Sequence, residues 1–148
     1  MARDDIRIEW RFPASRETVF HAWMNADEIA AWFAAPPFVV TQAVWAPREG
    51  TAWQVDFRSP DGWTYREAGS FLEVRPPEKL VFSLTQIGLP HPGPETVVSV
   101  TFKAAGEAET VMHFHQTGFT SATLRDGNEE GWRECFTTLG SHLHALGA

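Results

Sequence analysis

The stretch "NEEGWRECFTTLGSHLHAL" (residues 128–146) has the pattern of an amphipathic helix near the end of the chain. Its apolar side chains recur at helical spacing within an arc of about 100°, which predicts one buried face. They are Trp132, Cys135, Phe136, Leu139, Leu143 and Leu146. Gly131 interrupts this pattern, although glycine inside a helix costs about 1 kcal/mol relative to alanine. We expect Gly131 to let a neighbouring strand or short helix approach the helix backbone closely.

The residues before this helix change from one strand to short helices and then to many strands. Residues 6–12 alternate apolar and charged side chains, as a half-buried strand does. Two short helices follow, the first capped by Ser15 and the second closed by Pro36 and Pro37. Residues 38–117 contain about six strands separated by turns, among them residues 59–62 (SPDG), which are typical of a type I turn in a hairpin.

This order of elements indicates an α+β fold, because the helices are segregated from a run of antiparallel strands. We predict a bent antiparallel sheet with a long helix, residues 121–146, lying in its concave face. The strand residues expected to face the helix are Trp53/Val55/Phe57, Leu80/Phe82/Leu84, Val98/Val100/Phe102 and Met112/Phe114. We treat residues 1–148 as one domain, since this is an ordinary domain length.

Composition limits the classes of partner. The chain has 148 residues, a net charge of −7 and no cluster of Lys or Arg, which argues against nucleic acid and anionic membrane surfaces. The single cysteine, Cys135, excludes an internal disulfide and fits a reducing compartment. With no signal-peptide pattern and no apolar run of about 18 residues, we predict a cytoplasmic protein.

Several segments along the chain resemble one known family. They are residues 11–33 (RFPASRETVFHAWMNADEIAAWF), the Asp61-Gly62 hairpin turn, residues 69–82 (GSFLEVRPPEKLVF), residues 117–119 (TGF) and the Gly131-Trp132 pair. Together they resemble the SRPBCC (START-like, birch-pollen-allergen-like) superfamily, in the branch of bacterial homologues of the activator of heat-shock protein 90 ATPase. The chain departs from the family at residues 32–36, where W-F-G-P is usual, and at Glu49-Gly50, where paired glycines are common.

The resemblance implies a helix-grip fold with a cavity between the curved sheet and the C-terminal helix. It does not imply one activity, because superfamily relatives bind lipids, hormones or polyketides and a few catalyse cyclisations. The name of the branch suggests a chaperone cofactor, but the name is not taken as the function, because fold does not fix function.

Glu67 is the one candidate for a catalytic group. Its strand register places it on the same face as Trp63, Tyr65 and Phe71. Burial on that face would raise its pKa and allow it to orient a ligand or transfer a proton. The alternatives are that a bulge near Gly69 turns Glu67 towards solvent, or that Arg58 or Arg66 neutralises it.

The remaining polar candidates favour structural or surface roles. His113 and His115 are spaced to share a metal, but Met112 and Phe114 take the inner face, so we expect both histidines to point outward and predict no metal. His21, His142 and His144 show no catalytic spacing, and Cys135 is expected to be a small buried hydrophobe. The loop at residues 87–94, with His91, is either a lid or a simple connection.

Three functional hypotheses follow, and none requires a cofactor. The first is a module that binds a hydrophobic or aromatic small molecule; its predicted walls are Trp23, Trp32, Phe33, Trp53, Tyr65, Glu67, Phe82, Phe102, Met112, Phe114, Trp132 and Phe136. The second is a cyclase or hydratase in which Glu67 or a cavity histidine moves a proton. The third is an interaction protein, either a chaperone cofactor or a homodimer.

Overall fold

The computed structural model describes residues 5–88 and 93–147, which form seven strands and three α-helices. The elements are β1 (Asp5–Phe12), α1 (Arg16–Ala22), α2 (Ala26–Trp32), β2 (Val39–Val44), β3 (Ala52–Arg58), β4 (Thr64–Arg75), β5 (Lys79–Ile87), β6 (Thr96–Gly106), β7 (Glu109–Thr117) and α3 (Ala122–Gly147). The strands make one antiparallel sheet in the order β1-β7-β6-β5-β4-β3-β2. The predicted α+β helix-grip fold is confirmed.

The helices begin where the sequence predicts. The Ser15 hydroxyl accepts a hydrogen bond from the Thr18 amide at 3.2 Å, and the Asn25 side chain caps α2 in the same way. At the start of α3 the Ser121 hydroxyl accepts from the Leu124 amide at 3.1 Å. Each cap satisfies a backbone N–H that has no partner within its own helix.

Gly69 of β4 lies directly against the β5 backbone, between the paired positions Ala68/Thr85 and Phe71/Phe82. A Cβ atom at position 69 would stand 1.9 Å from the carbonyl oxygen of Ser83. That oxygen also accepts a hydrogen bond from the Trp53 indole at 3.0 Å, and the Ser83 hydroxyl accepts from the Ser70 amide at 2.9 Å. Only glycine fits at position 69, because any other side chain would overlap the neighbouring backbone.

The apolar face of α3 packs on the concave side of the sheet, as predicted. Trp132, Cys135, Phe136, Leu139 and Leu143 are buried, and so are all four predicted strand sets. Leu146 is the exception at 55% exposed, because residues 144–147 extend beyond the elements that cover the rest of the helix. Among the described residues, no helix combines the length and apolar character that a membrane span requires.

Candidate functional site

A cavity of ≈ 260 Å³ lies between the first half of α3 and the part of the sheet formed by β3, β4 and β5. The end of α2 closes one side. The cavity is partly open to the surface. Its lining residues are Phe33, Ala35, Phe57, Tyr65, Glu67, Gln86, Gly127, Asn128, Gly131, Trp132 and Cys135.

Four aromatic rings, from β3, β4, α3 and the segment after α2, form the apolar walls. Phe57 of β3 and Tyr65 of β4 stack with ring centroids 4.7 Å apart and an interplanar angle of 14°. Phe33, which follows α2, stacks on Phe57 at 6.3 Å and meets the edge of Trp132 at 5.4 Å. Because each ring packs against a neighbouring ring, the walls of the cavity have a defined shape.

Two glycines leave part of the α3 side of the cavity without side chains. Gly127 and Gly131 lie one helical turn apart, and a Cβ atom built on either one would meet no atom within 4 Å. The expectation that Gly131 permits close packing of another element is therefore wrong. The two glycines border open space instead, and the volume that larger side chains would take remains part of the cavity.

Glu67 is the acidic group of the cavity. It pairs in register with Val55 of β3 and with Gln86 of β5, and its side chain is only 9% exposed. Gln86 Nε2 donates a hydrogen bond to Glu67 Oε2 at 3.3 Å. Burial raises the pKa of Glu67 from 4.5 to about 7, because removal from water disfavours the carboxylate, and the hydrogen bond from Gln86 offsets only part of that effect.

Both alternatives for Glu67 are wrong. Arg66 points to the opposite face of the sheet, where its Nε lies 2.7 Å from Asp56 Oδ1, and Arg58 is exposed and forms no ion pair with Glu67 within the described part of the chain. The bulge of β4 comes later, between Phe71 and Glu73, so it does not turn Glu67 outward. Tyr65 and Phe71 share the inner face as predicted, whereas Trp63 precedes β4 and is 44% exposed.

The other ionisable groups of the lining are neutral near pH 7. Burial raises the pKa of the Tyr65 hydroxyl well above 10, and the nearby Glu67 adds to the effect. Burial likewise raises the pKa of the Cys135 thiol, whose Sγ donates to the Phe33 carbonyl oxygen at 3.4 Å. Cys135 is thus a buried thiol with little thiolate character, as predicted from the sequence. No Lys, Arg or His lines the cavity among residues 5–88 and 93–147.

A buried chain of hydrogen bonds holds Trp132 in place. Its indole Nε1 donates to Gln116 Oε1 at 2.8 Å, and Gln116 Nε2 donates to Thr96 Oγ1 at 2.9 Å. Thr96 Oγ1 then donates to the Leu84 carbonyl oxygen at 2.8 Å. The chain connects α3 with β7, β6 and β5, so the indole ring has a fixed position in the cavity wall.

The structure divides the twelve predicted wall residues into two groups. Phe33, Tyr65, Glu67 and Trp132 line the cavity. The other eight are packed in the interior, away from the cavity: Trp23, Trp32, Trp53, Phe82, Phe102, Met112, Phe114 and Phe136. Trp23 illustrates the packing, since its ring contacts those of Trp32, Phe82, Phe102, Trp132 and Phe136.

Sequence reasoning did not assign several lining residues to the site. Phe57 was predicted to face inward, but only as part of the core. The i,i+4 spacing of Gly127 and Gly131 is a signal that was available, because two unfavourable residues on one helix face require a reason. Gln86 and Asn128 carry no such signal, because only the pairing of strands and the position of α3 bring them to the cavity.

The five histidines within the described residues lie outside the cavity. His113 and His115 are on the outer face of the sheet as predicted, where His115 Nε2 lies 3.1 Å from Asp5 Oδ2 and His113 is near Glu9. His142 Nε2 lies 2.8 Å from Glu28 Oε1, and the other oxygen of Glu28 bonds His21, so this carboxylate joins three helices. His144 is exposed. His91 and residues 89–92 of the predicted lid fall outside the described residues.

Solved structures of bacterial proteins share this fold over nearly their whole length. An AHSA1 protein from Silicibacter pomeroyi matches with a TM-score of 0.87 at 20% identity, covering 97% of this chain and 99% of that chain. A protein from Chromobacterium violaceum matches with a TM-score of 0.86 at 20% identity, covering 95% and 96%. The solution structure of an AHSA1-like protein from Aeromonas hydrophila matches with a TM-score of 0.80 at 23% identity, covering 97% and 94%.

At these identities the structural likeness establishes the fold and no activity. No curated protein is a significant match for the sequence. The sequence model of one family, described as "Activator of Hsp90 ATPase homolog 1-like protein", matches residues 13–144. Because this match spans nearly the whole chain, as the resemblance of the sequence predicts, the protein belongs to the Activator of Hsp90 ATPase homolog 1-like family.

Proposed function

We propose that this protein binds a hydrophobic or aromatic small molecule in the cavity between the sheet and α3. The observation that carries the proposal is the open cavity itself, with aromatic walls and two helix glycines that leave it unfilled. Two glycines within one helix cost about 1 kcal/mol each relative to alanine. Because no close packing accounts for Gly127 and Gly131, we infer that the free volume beside them serves to hold a ligand.

The size of the cavity limits the ligand. Pockets for drug-sized ligands have volumes of roughly 300–1,000 Å³. At ≈ 260 Å³ this cavity falls just below that range and suits a molecule with one aromatic ring and a short substituent. Long acyl chains and sterols exceed the enclosed space, so we do not expect them to bind with their whole length inside.

A plugged variant tests the proposal. Single-ring aromatic compounds would be screened by thermal shift, and hits would be measured by isothermal titration calorimetry. We expect Gly131→Leu, whose side chain extends into the cavity, to abolish binding of every hit. Gly147→Leu is the matched control, because position 147 is on the same helix, has no neighbour within 4 Å and lies away from the cavity.

Two outcomes would contradict the proposal. One is that no single-ring compound stabilises the protein, since a ligand at 100 times its Kd stabilises by about 2.7 kcal/mol and would be seen. The other is that Gly131→Leu binds the hits as tightly as Gly147→Leu does, which would place the binding site elsewhere.

The environment of Glu67 favours an enzyme of the cyclase or hydratase type as the second candidate. A carboxyl group with a pKa of about 7 can both accept and donate a proton near neutral pH, as general acid–base catalysis requires. For a ligand that is converted, Glu67→Gln should stop turnover while binding persists. A bound compound recovered unchanged after long incubation with the wild type would count against this reading.

A further inference from the structure

We propose that the cavity selects a ligand whose polar end is a positively charged amine, held against Glu67 by the carboxylate and by the surrounding aromatic faces. This inference rests on the proposed function, since it names the chemical class of molecule that the same cavity takes. It excludes the carboxylate-ended molecules that hydrophobic cavities also bind.

The position of the Glu67 carboxylate is the first observation. It is more than nine-tenths buried and contributes to the cavity lining. Its Oε2 accepts one hydrogen bond from Gln86, while Oε1 receives none from any residue in the described ranges. Because Oε1 is not among the fully buried atoms that lack a partner, it keeps accessible surface, which the cavity provides. A ligand that enters therefore meets a free acceptor oxygen.

The balance of charge around this oxygen is the second observation. The lining contains one acidic group and, within the described residues, no Lys, Arg or His to compensate it. Glu67 is also not part of any ion pair in the same residues. An anionic ligand would place a second negative charge in the cavity without a counterion, which is strongly unfavourable in a buried site. An ammonium group would supply the missing positive charge.

The aromatic walls favour the same class of ligand. The faces of tryptophan, tyrosine and phenylalanine attract cations through the ring quadrupole. Tyr65, stacked on Phe57, and Trp132 line the cavity together with Glu67. The net charge of −7 adds a long-range attraction for cations in the same direction.

Protonation of Glu67 should couple to binding of the amine. The ammonium group pairs with the ionised carboxylate, whereas the protonated form offers it no charge. With a pKa of about 7, Glu67 is mostly protonated at pH 6 and mostly ionised at pH 8, so affinity should rise about tenfold between them. The other titratable groups that face it are Tyr65 on its own strand and Cys135 on α3, and both stay neutral over this range. Neighbouring β3 and β5 contribute Val55 and Gln86, neither of which titrates.

Three probes share a phenyl ring and two further carbon atoms but differ in the polar end: 2-phenylethylamine, 2-phenylethanol and phenylacetate. Their affinities for the full chain would be measured by calorimetry at pH 6 and pH 8. We expect the amine to bind tightest, the alcohol more weakly and phenylacetate not at all. Glu67→Gln should weaken the amine by about 30-fold or more and the alcohol by little, since truncating one partner of a buried charge pair has an effect of that size. Glu134→Gln, which removes an exposed charge from α3, is the control.

The outcomes distinguish this inference from the function on which it rests. Binding of the alcohol or of phenylacetate as tight as that of the amine would overturn the amine preference and leave a binding cavity standing. An amine affinity of the wild-type protein that is equal at pH 6 and pH 8 would also overturn the amine preference, and this measurement requires no variant. Failure of all three probes to bind would overturn both proposals for ligands of this size.

Discussion

Glu67→Gln should change how the stability of the ligand-free protein depends on pH. Among the described residues no cationic side chain pairs with the buried Glu67, and its pKa is raised from 4.5 to about 7 in the folded state. Between these two values the folded protein binds more protons at this site than the unfolded chain does. The free energy of unfolding therefore falls as the pH rises through this interval. Glutamine has no proton to lose, so the variant lacks this contribution.

The magnitude follows from the two pKa values. Each pH unit between them corresponds to about 1.36 kcal/mol, so the full interval corresponds to about 3 kcal/mol. Relative to the wild type, Glu67→Gln should gain about this much unfolding free energy between pH 4.5 and pH 8. The new amide oxygen can keep the hydrogen bond from Gln86 Nε2, so the variant should remain folded throughout.

Urea denaturation followed by tryptophan fluorescence would measure the difference between the two proteins at five pH values from about 4.5 to about 8, a range that spans both pKa values of Glu67. Glu107→Gln is the control for loss of one charge, because Glu107 is exposed in the turn between β6 and β7. A difference between Glu67→Gln and wild type that stays constant within about 0.5 kcal/mol across this range would refute the argument. It would mean that Glu67 is solvated in solution or already paired.

Three further substitutions test the packing around the site. Gly131→Ala should raise the free energy of unfolding by about 1 kcal/mol, because a Cβ atom there meets nothing within 4 Å; a loss in thermal unfolding would show that the helix face is covered. Gly69→Ala should lower it by about 3 kcal/mol or more in urea denaturation, since its Cβ would overlap the Ser83 carbonyl oxygen; a near-normal midpoint would mean that β4 and β5 are farther apart. Trp132→Phe should lower the free energy of unfolding by about 2 kcal/mol beyond the effect of the smaller ring, because Gln116 Oε1 loses its hydrogen-bond donor. Adding Gln116→Met should recover part of this loss, since the unpaired buried amide is then removed. A double variant that is as unstable as Trp132→Phe alone would argue against this hydrogen bond.

The location of the protein in the cytoplasm and the exclusion of nucleic-acid and membrane partners stay predictions from composition. The same holds for the third hypothesis, a chaperone cofactor or homodimer.

The sequence by itself determined the elements and most of their buried faces. Strand alternation and helical spacing are local patterns, so Trp132, Phe136 and Leu139 could be assigned to one buried face before any tertiary contact was known. The register that Glu67 shares with Tyr65 and Phe71 indicated an inward position, but a bulge near Gly69 or neutralisation by an arginine remained open until the tertiary structure excluded both. The prediction that Leu146 is buried was wrong, because helical periodicity does not show where the elements that cover α3 end.

Only the tertiary structure decided which buried residues surround empty space. Trp23 and Trp132 have the same aromatic character and are both buried, yet only Trp132 borders the cavity. The difference depends on how closely α2, α3 and strands β3, β4 and β5 approach one another. That approach is set by many contacts between segments that are distant in sequence. The prediction for Gly131 was wrong for the same reason: close packing was expected there, but Gly131 borders open volume. A cavity is a volume that no side chain fills, and a linear pattern of side chains does not record it.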